Sequence, residues 1–171
     1  MNGVSTWAAL FVAGMLAAVA SDLARRRIPN ALNVSIFLGG LLAQAAGGGP
    51  AALGQGLAGT AVGLALLVPL FHFRWIGGGD VKLVAAAGAW LGPAASFWAT
   101  AFGLAGGGVV ALAIALTGGA AFRAEVTANL QNAALSMSLP SAPRRDRAKL
   151  VPMALSLAGA AIGMYFARGA T

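Results

Sequence analysis

The sequence has few of the residues on which most enzymes build their active sites. It contains no cysteine, one histidine and four acidic residues in a chain of 171 residues. The absence of cysteine excludes disulfides, thiolate nucleophiles and metal sites with a thiolate ligand. One histidine and four acids are also too few for a zinc or di-iron centre built from this chain's side chains alone. We therefore expect no metal and no cofactor.

Charge is scarce throughout the chain. Charged residues make up 9% of it and hydrophobic residues 59%, and the mean hydropathy is +0.83. This composition indicates a polytopic membrane protein of the all-α class, because each transmembrane helix needs about 20 apolar residues to cross the hydrocarbon core. The length then leaves no room for a soluble domain, so residues 1–171 are expected to form a single integral-membrane domain. The 25 glycines fit this class, since small residues let transmembrane helices pack closely.

Six transmembrane helices are predicted from the apolar stretches of the sequence. The predicted spans are 4–22, 31–47, 53–72, 81–96, 97–117 and 150–167. Glycine and proline clusters, among them Gly47-Gly48-Gly49-Pro50 and Gly92-Pro93, mark breaks between helices. The polar segment 118–149 carries apolar residues at helical spacing, which predicts a short interfacial helix in the last cytoplasmic loop. A lid or docking role for this segment and plain membrane anchoring both stay open.

The basic residues orient these helices, because short cytoplasmic loops carry most lysines and arginines. With the N-terminus outside, ten of the eleven basic residues fall on the cytoplasmic side and only Arg168 lies outside. The net charge of +7 is then mainly a topology signal, together with attraction to anionic membrane lipids. No motif that reads nucleic acid accompanies the charge, so nucleic acid is not an expected partner.

Two of the four acids lie at the edges of predicted spans. Asp22 ends the first span and Asp80 begins the fourth, both on the cytoplasmic side, so we expect the two carboxylates at one membrane depth. Such groups are functional hypotheses by default, because a charge at a helix centre is unfavourable by about 2.5–3.5 kcal/mol on insertion scales. Glu125 and Asp146 lie instead among the polar residues of the 118–149 segment, where solvated or ion-paired roles are expected.

A pair of neighbouring carboxyls is what aspartyl proteolysis requires. The two groups cannot both ionise readily, so they titrate as a unit. The ionised member takes a proton from water while the protonated member donates to the scissile carbonyl oxygen. Gly77, Gly78 and Gly79 directly precede Asp80, and glycines permit unusual backbone angles and close approach of a substrate strand. Taken separately, Asp22 and the three glycines each have a plainer explanation. Asp22 would be neutralised by nearby arginines, and the glycines would form an ordinary loop.

Other polar and aromatic residues give less specific signals. Lys82 follows Asp80 by two residues and is either a topology anchor or an influence on the charge of Asp80. Asn33 and Gln44, in the second span, are expected to form hydrogen bonds between helices, with substrate binding as the alternative. The tryptophans and the single tyrosine suit anchoring at the membrane interface.

Two motifs resemble those of a known family. Gly77-Gly78-Gly79-Asp80-Val81-Lys82-Leu83 matches the Gly-x-Gly-Asp signature of intramembrane aspartyl proteases, and its extended form resembles the bacterial type IV prepilin peptidases. Asp22, followed by arginines and Ile28-Pro29-Asn30, resembles the segment that carries that family's first catalytic aspartate. The six-helix layout and Val151-Pro152 extend the resemblance over nearly the whole chain, although Met153-Ala154 replaces the aromatic residue and glycine common in the family.

The resemblance implies an endopeptidase of the bacterial cytoplasmic (inner) membrane, with its active site on the cytoplasmic side. Asp22 and Asp80 would be the catalytic residues, and residues 77–79 and Lys82 would belong to the active-site loop. The substrates would be prepilin and pseudopilin precursors, which lose a short leader just after a glycine. Larger prepilin peptidases carry a cysteine-containing cytoplasmic region linked to methylation. Without cysteine, this chain looks like the small enzymes of Flp-type, tight-adherence pili (the TadV/CpaA type), so methyl transfer is not expected.

Functions of other classes stay open beside this one. A small proton-coupled transporter, or a subunit for secretion or pilus assembly, would use Asp22 and Asp80 as a relay or in packing. The lack of a mid-span acid and of an inverted repeat argues against it. A degenerate homologue that acts as a pilin chaperone is disfavoured by the retention of both aspartates. The sequence also leaves open the particular precursor, the docking groove and self-association into a homo-oligomer.

Overall fold

The computed structural model describes residues 2–73, 75–117 and 153–169, and every regular element in these ranges is an α-helix. In chain order the helices are α1 (Asn2–Arg25), α2 (Asn30–His72), α3 (Gly78–Thr117) and α4 (Met153–Gly169). This confirms the all-α class. The interfacial helix expected within 118–149 lies outside the described residues, as do Glu125 and Asp146.

The long helix α2 folds back on itself at Gly49. This glycine has φ 63° and ψ −151°, a backbone conformation that side chains disfavour, and Pro50 follows it. In a straight helix Gln44 and Gly56 would lie roughly 18 Å apart along the axis. A Cβ placed on Gly56 would instead lie 3.3 Å from Gln44 Cγ. The arms before and after Gly49 therefore pack side by side.

The helix α3 reverses in the same way at Gly92, which has φ 73° and ψ 176° and precedes Pro93. Leu83 and Thr100 line one internal cavity of about 10 Å³, although a straight helix would place them roughly 25 Å apart. The predicted break at Gly92-Pro93 is confirmed, whereas the predicted boundary between the fourth and fifth spans, at 96–97, lies about one turn too late. The glycine that can adopt a positive φ and the proline after it decide where the helix reverses.

Three helices are long and apolar enough to cross a membrane, namely Thr6–Arg25, Asn30–His72 and Gly78–Ala113, and Met153–Arg168 is a shorter apolar helix. The chain thus has the character of a membrane protein. Because α2 and α3 each consist of two arms, the described residues form six apolar helical segments. Successive segments run in opposite directions, so the α1–α2 and α2–α3 connections lie at the same end.

The second arm of α2 crosses the first arm of α3 with the two backbones in contact. A Cβ on Gly59 would meet the carbonyl oxygen of Gly88 and would lie 2.7 Å from the carbonyl carbon of Gly92. The hydroxyl of Ser96 donates to the Gly59 carbonyl oxygen at 2.9 Å. Small residues thus let the arms approach far more closely than larger side chains would allow. This crossing sets how α3 lies against α2, and with it the position of Asp80.

Trp90 is a core residue and not the interfacial anchor expected from its residue type. Its side chain is only 5% exposed, and its indole Nε1 donates to the Ile36 carbonyl oxygen at 2.7 Å. The ring centroid of Phe11 lies 5.2 Å from that of Trp90 and 4.9 Å from that of Tyr165. Because the indole N–H finds a carbonyl partner, the tryptophan can be buried without leaving a polar group unsatisfied.

Candidate active site

The two connections at one end of the molecule are tied to each other. Lys82 Nζ donates to Asn30 Oδ1 at 2.9 Å, which joins the start of α3 to the start of α2. A Cβ on Gly79 would lie 3.7 Å from Ile28 Cβ, an ordinary van der Waals contact. Both aspartates lie beside these contacts, Asp22 in the last turns of α1 and Asp80 in the first turn of α3.

The α1–α2 connection holds Asp22 at a sharply defined helix end. The Arg26 N–H donates to the Asp22 carbonyl oxygen at 2.7 Å, and Arg26 itself has φ 52°, so the helix cannot continue. Ser21 Oγ donates to the Arg27 carbonyl oxygen at 2.8 Å and closes the turn. The buried side chain of Ile28 follows and anchors the connection in the core. Asp22 is half-buried as a result.

In the α2–α3 connection, the backbone of Gly77 lies close to Asp80 and holds it in place. The Asp80 N–H donates to the Gly77 carbonyl oxygen at 3.1 Å, and the Gly77 N–H donates in return to the Asp80 carboxylate. A Cβ on Gly77 would lie 3.2 Å from Asp80 Oδ2, and one on Gly78 would lie 3.2 Å from the Phe71 ring. Side chains at these two positions would therefore crowd the carboxylate and the loop.

One of the two reasons expected for the three glycines before Asp80 is not found in the structure. Among the described residues only Gly49 and Gly92 are glycines with positive φ, so the expectation of unusual backbone angles at residues 77–79 is wrong. Gly78 and Gly79 already belong to α3. What the glycines provide is space, because the loop backbone passes close to the Asp80 carboxylate and to the Phe71 ring.

The structure brings Asp22 and Asp80 together although they are far apart in the sequence. Both carboxyl groups are half-buried, and they are close enough for Asp22 to act electrostatically on Asp80. A negative charge on one of two neighbouring carboxyls disfavours a second charge on the other. The pair can hold one proton and one negative charge, which is the arrangement needed to take a proton from water and donate one to a carbonyl oxygen.

The other polar residues singled out from the sequence divide into partnered and unpartnered groups. Lys82 bonds Asn30, a partner that sequence reasoning missed although Asn30 belongs to the Ile28-Pro29-Asn30 motif. Gln44 Nε2 donates to the Trp90 carbonyl oxygen at 3.4 Å, as expected for a bond between helices. The predicted hydrogen bond of Asn33 between helices is wrong, because neither of its side-chain polar atoms has a hydrogen-bond partner among the described residues.

No group of three or more histidine, aspartate or glutamate side chains that could hold a metal ion occurs in the part of the chain that the structure describes. The site consists of two carboxyls, the backbone of residues 77–79 and the bonded pair of Lys82 and Asn30. Carboxyl groups of this kind can transfer protons between side chains, water and a bound substrate.

These features define a class, that of helical membrane proteins with a carboxyl pair at adjoining helix ends. Residues 9–124 match the type IV leader peptidase family, and the matched region contains both Asp22 and Asp80. The chain belongs to this family, which makes it a leader peptidase with prepilin-like substrates. No curated protein matches the chain, and no solved structure does.

Proposed function

We propose that this leader peptidase is an intramembrane aspartyl endopeptidase whose catalytic pair is Asp22 and Asp80. The observation that carries the proposal is that Asp22 acts electrostatically on Asp80. Both carboxyls are half-buried, and they lie on two different helices at the same end of the molecule. The hydrogen bond from the Gly77 backbone to the Asp80 carboxylate supports it, because that bond orients one member of the pair.

The proposed reaction needs only this pair and a water molecule. The ionised carboxylate removes a proton from water, and the protonated carboxyl donates its proton to the scissile carbonyl oxygen as the water oxygen attacks the carbonyl carbon. Each carboxyl has then exchanged its role. As the tetrahedral intermediate collapses, the newly protonated carboxyl donates its proton to the leaving amine and the other carboxylate takes a proton from a hydroxyl of the intermediate, which restores the starting state of the pair.

The proposed substrates are Flp-like prepilins and pseudopilins, cleaved at the cytoplasmic face of a bacterial cytoplasmic membrane. Arg25, Arg26 and Arg27 and Lys82 lie at the same end as the carboxyl pair, which supports a cytoplasmic position for that end. A leader on the cytoplasmic side can then enter the site while the apolar helix of the precursor stays in the membrane. We further propose six membrane spans in one domain, without methyl transfer.

The proposed topology predicts opposite labelling of two single cysteines. Gly47 lies near the reversal of α2 with open space at its Cβ position, and Phe73 lies exposed just beyond the far end of the second arm of α2. Gly47→Cys in spheroplasts should react with an impermeant maleimide, whereas Phe73→Cys should react only after permeabilisation. The chain has no native cysteine, so there is no background. Reaction of both from the same side would contradict the proposed topology.

The direct test is co-expression with a candidate precursor, followed by a gel shift and by the mass of the new N-terminus. In detergent, the cleavage rate of the purified protein should follow a bell-shaped curve with pH, because the reaction needs one shared proton on the pair.

The chelator EDTA should leave the cleavage rate unchanged. Loss of cleavage in EDTA with recovery on adding zinc would overturn the aspartyl assignment.

A further inference from the structure

Asn33 is a buried polar residue, and no hydrogen bond within the described residues accounts for its burial. Its side chain is only 5% exposed, and neither Nδ2 nor Oδ1 has a partner among the described residues. By contrast, the other two buried polar residues in the core are both bonded, Ser96 to Gly59 and Thr100 to Ser96. Burying an amide without partners is unfavourable, so such a group calls for an explanation.

The register of the helices places Asn33 close to the carboxyl pair. It lies on the buried face of the first arm of α2, one turn beyond Asn30, which bonds Lys82. One turn further along the same face, Ile36 contacts the Cβ position of Gly14 in α1. Asn33 therefore lies between α1 and α3, at a depth roughly 7 Å from the aspartates toward the interior, whether counted along α1 or along α3.

A substrate cleaved at the carboxyl pair brings unpaired backbone groups to this depth. The scissile bond must be in an extended segment to be attacked, and in an apolar environment the N–H and C=O groups of that segment need partners. A primary amide offers a donor and an acceptor together, so it complements one peptide unit. An extended chain advances about 3.3 Å per residue, so roughly 7 Å corresponds to about two residues.

We infer that Asn33 is a substrate-binding residue whose side-chain amide bonds the precursor backbone two to three residues after the cleaved bond. This inference rests on the proposed function. The leader lies on the cytoplasmic side and the mature helix in the membrane, so a residue deeper in the membrane than the carboxyl pair meets the part of the precursor after the cleaved bond. The amide pairs with the mature part of the substrate once α1 and α3 move apart to admit it, because in the free protein both of its polar atoms are closed off from solvent.

The test compares binding and stability in variants of Asn33. Asn33→Leu removes the unpartnered amide, so the Tm in detergent should stay unchanged or rise. The KM for a synthetic precursor fragment should rise about three- to tenfold, the usual effect of one lost hydrogen bond. The kcat should change by less than about twofold, since the carboxyl pair is intact. Asn33→Ala covers the case in which leucine does not fit; it should raise KM equally, with a lower Tm from the cavity.

A matched control and a modified substrate make the result specific. Thr100→Ala removes a buried hydroxyl that is bonded within α3 and not to the crossing at Gly59, so it should lower Tm and leave KM unchanged. Precursor fragments with single backbone amides replaced by esters at the first four positions after the cleaved bond then locate the contact. In the wild type the second or third ester should raise KM, and in the Asn33 variants that ester should add no further rise.

Each outcome decides the matter. An unchanged KM in both Asn33 variants, equal ester effects in wild type and variants, or a fall in Tm for Asn33→Leu as large as that for Thr100→Ala would overturn the inference and assign Asn33 a structural role. If the wild type cleaves the fragment, such results leave the proposed function standing. If the wild type does not cleave any precursor, the proposed function fails and the inference fails with it.

Discussion

Asp22→Asn and Asp80→Asn are each expected to abolish precursor cleavage while leaving membrane insertion intact. Asparagine keeps the size of the side chain and some of its hydrogen bonding but cannot take a proton from water. General acid–base assistance contributes about 10²–10⁴-fold to a rate, and loss of half the pair also removes water activation, so the deficit should reach the upper end of that range. The measurement is the fraction of co-expressed precursor that is cleaved, read by gel shift.

The matched controls for this experiment are the other two acids of the chain. Glu125→Gln and Asp146→Asn remove a carboxylate in the same way, and they should cleave at rates near that of the wild type. Retention of more than about a tenth of wild-type cleavage in either aspartate variant, a loss far below the expected range, would remove that residue from the mechanism. The transporter or assembly hypothesis would then gain support.

The second large effect is expected at the crossing of α2 and α3. In Gly59→Ala the new methyl group would meet the Gly88 carbonyl oxygen and the Gly92 backbone, and neither can move aside as a flexible side chain would. Overpacking of this kind costs about 1–3 kcal/mol and occasionally more, and contact with two backbone segments places this site at the upper end. Thermal unfolding in detergent should show a fall in Tm, with a loss of cleavage because the crossing positions Asp80.

The same helix arm supplies the control. Gly54 lies on the exposed side, and nothing lies within 4 Å of its Cβ position. Gly54→Ala should therefore leave Tm unchanged or raise it, since alanine is favoured over glycine in a helix by about 1 kcal/mol. Equal Tm values for Gly54→Ala and Gly59→Ala would mean that the two arms do not touch as the structure describes.

Much of the candidate site could be predicted from local sequence. The Gly-Gly-Gly-Asp run and the acid before the arginines identified Asp80 and Asp22 without any structure, because charges at span edges in an apolar chain are conspicuous. The expected common membrane depth of the two residues followed from topology alone, since the end of an odd span and the start of an even span lie at the same membrane face. The partners of the surrounding polar groups could not be obtained in this way.

Residues of the same type differ in burial and hydrogen bonding, and only tertiary contacts distinguish them. Gln44 and Asn33 are amides in the same helix arm, yet Gln44 bonds the Trp90 carbonyl and Asn33 has no partner among the described residues. Trp90 is buried in the core, whereas Trp75 and Trp98 are exposed. Which face of a helix a residue occupies follows from its number, but what lies opposite depends on helices distant in the sequence.

The sequence by itself determined the membrane class, the two carboxyls and the presence of helix breaks at Gly49-Pro50 and Gly92-Pro93, because hydropathy and the backbone preferences of glycine and proline are local properties. The tertiary structure decided how closely the arms approach at Gly59, which polar groups are paired, and that the glycines before Asp80 provide space and not unusual backbone angles. These outcomes depend on packing between segments far apart in the chain, where a single methyl group or carbonyl oxygen changes which contact forms.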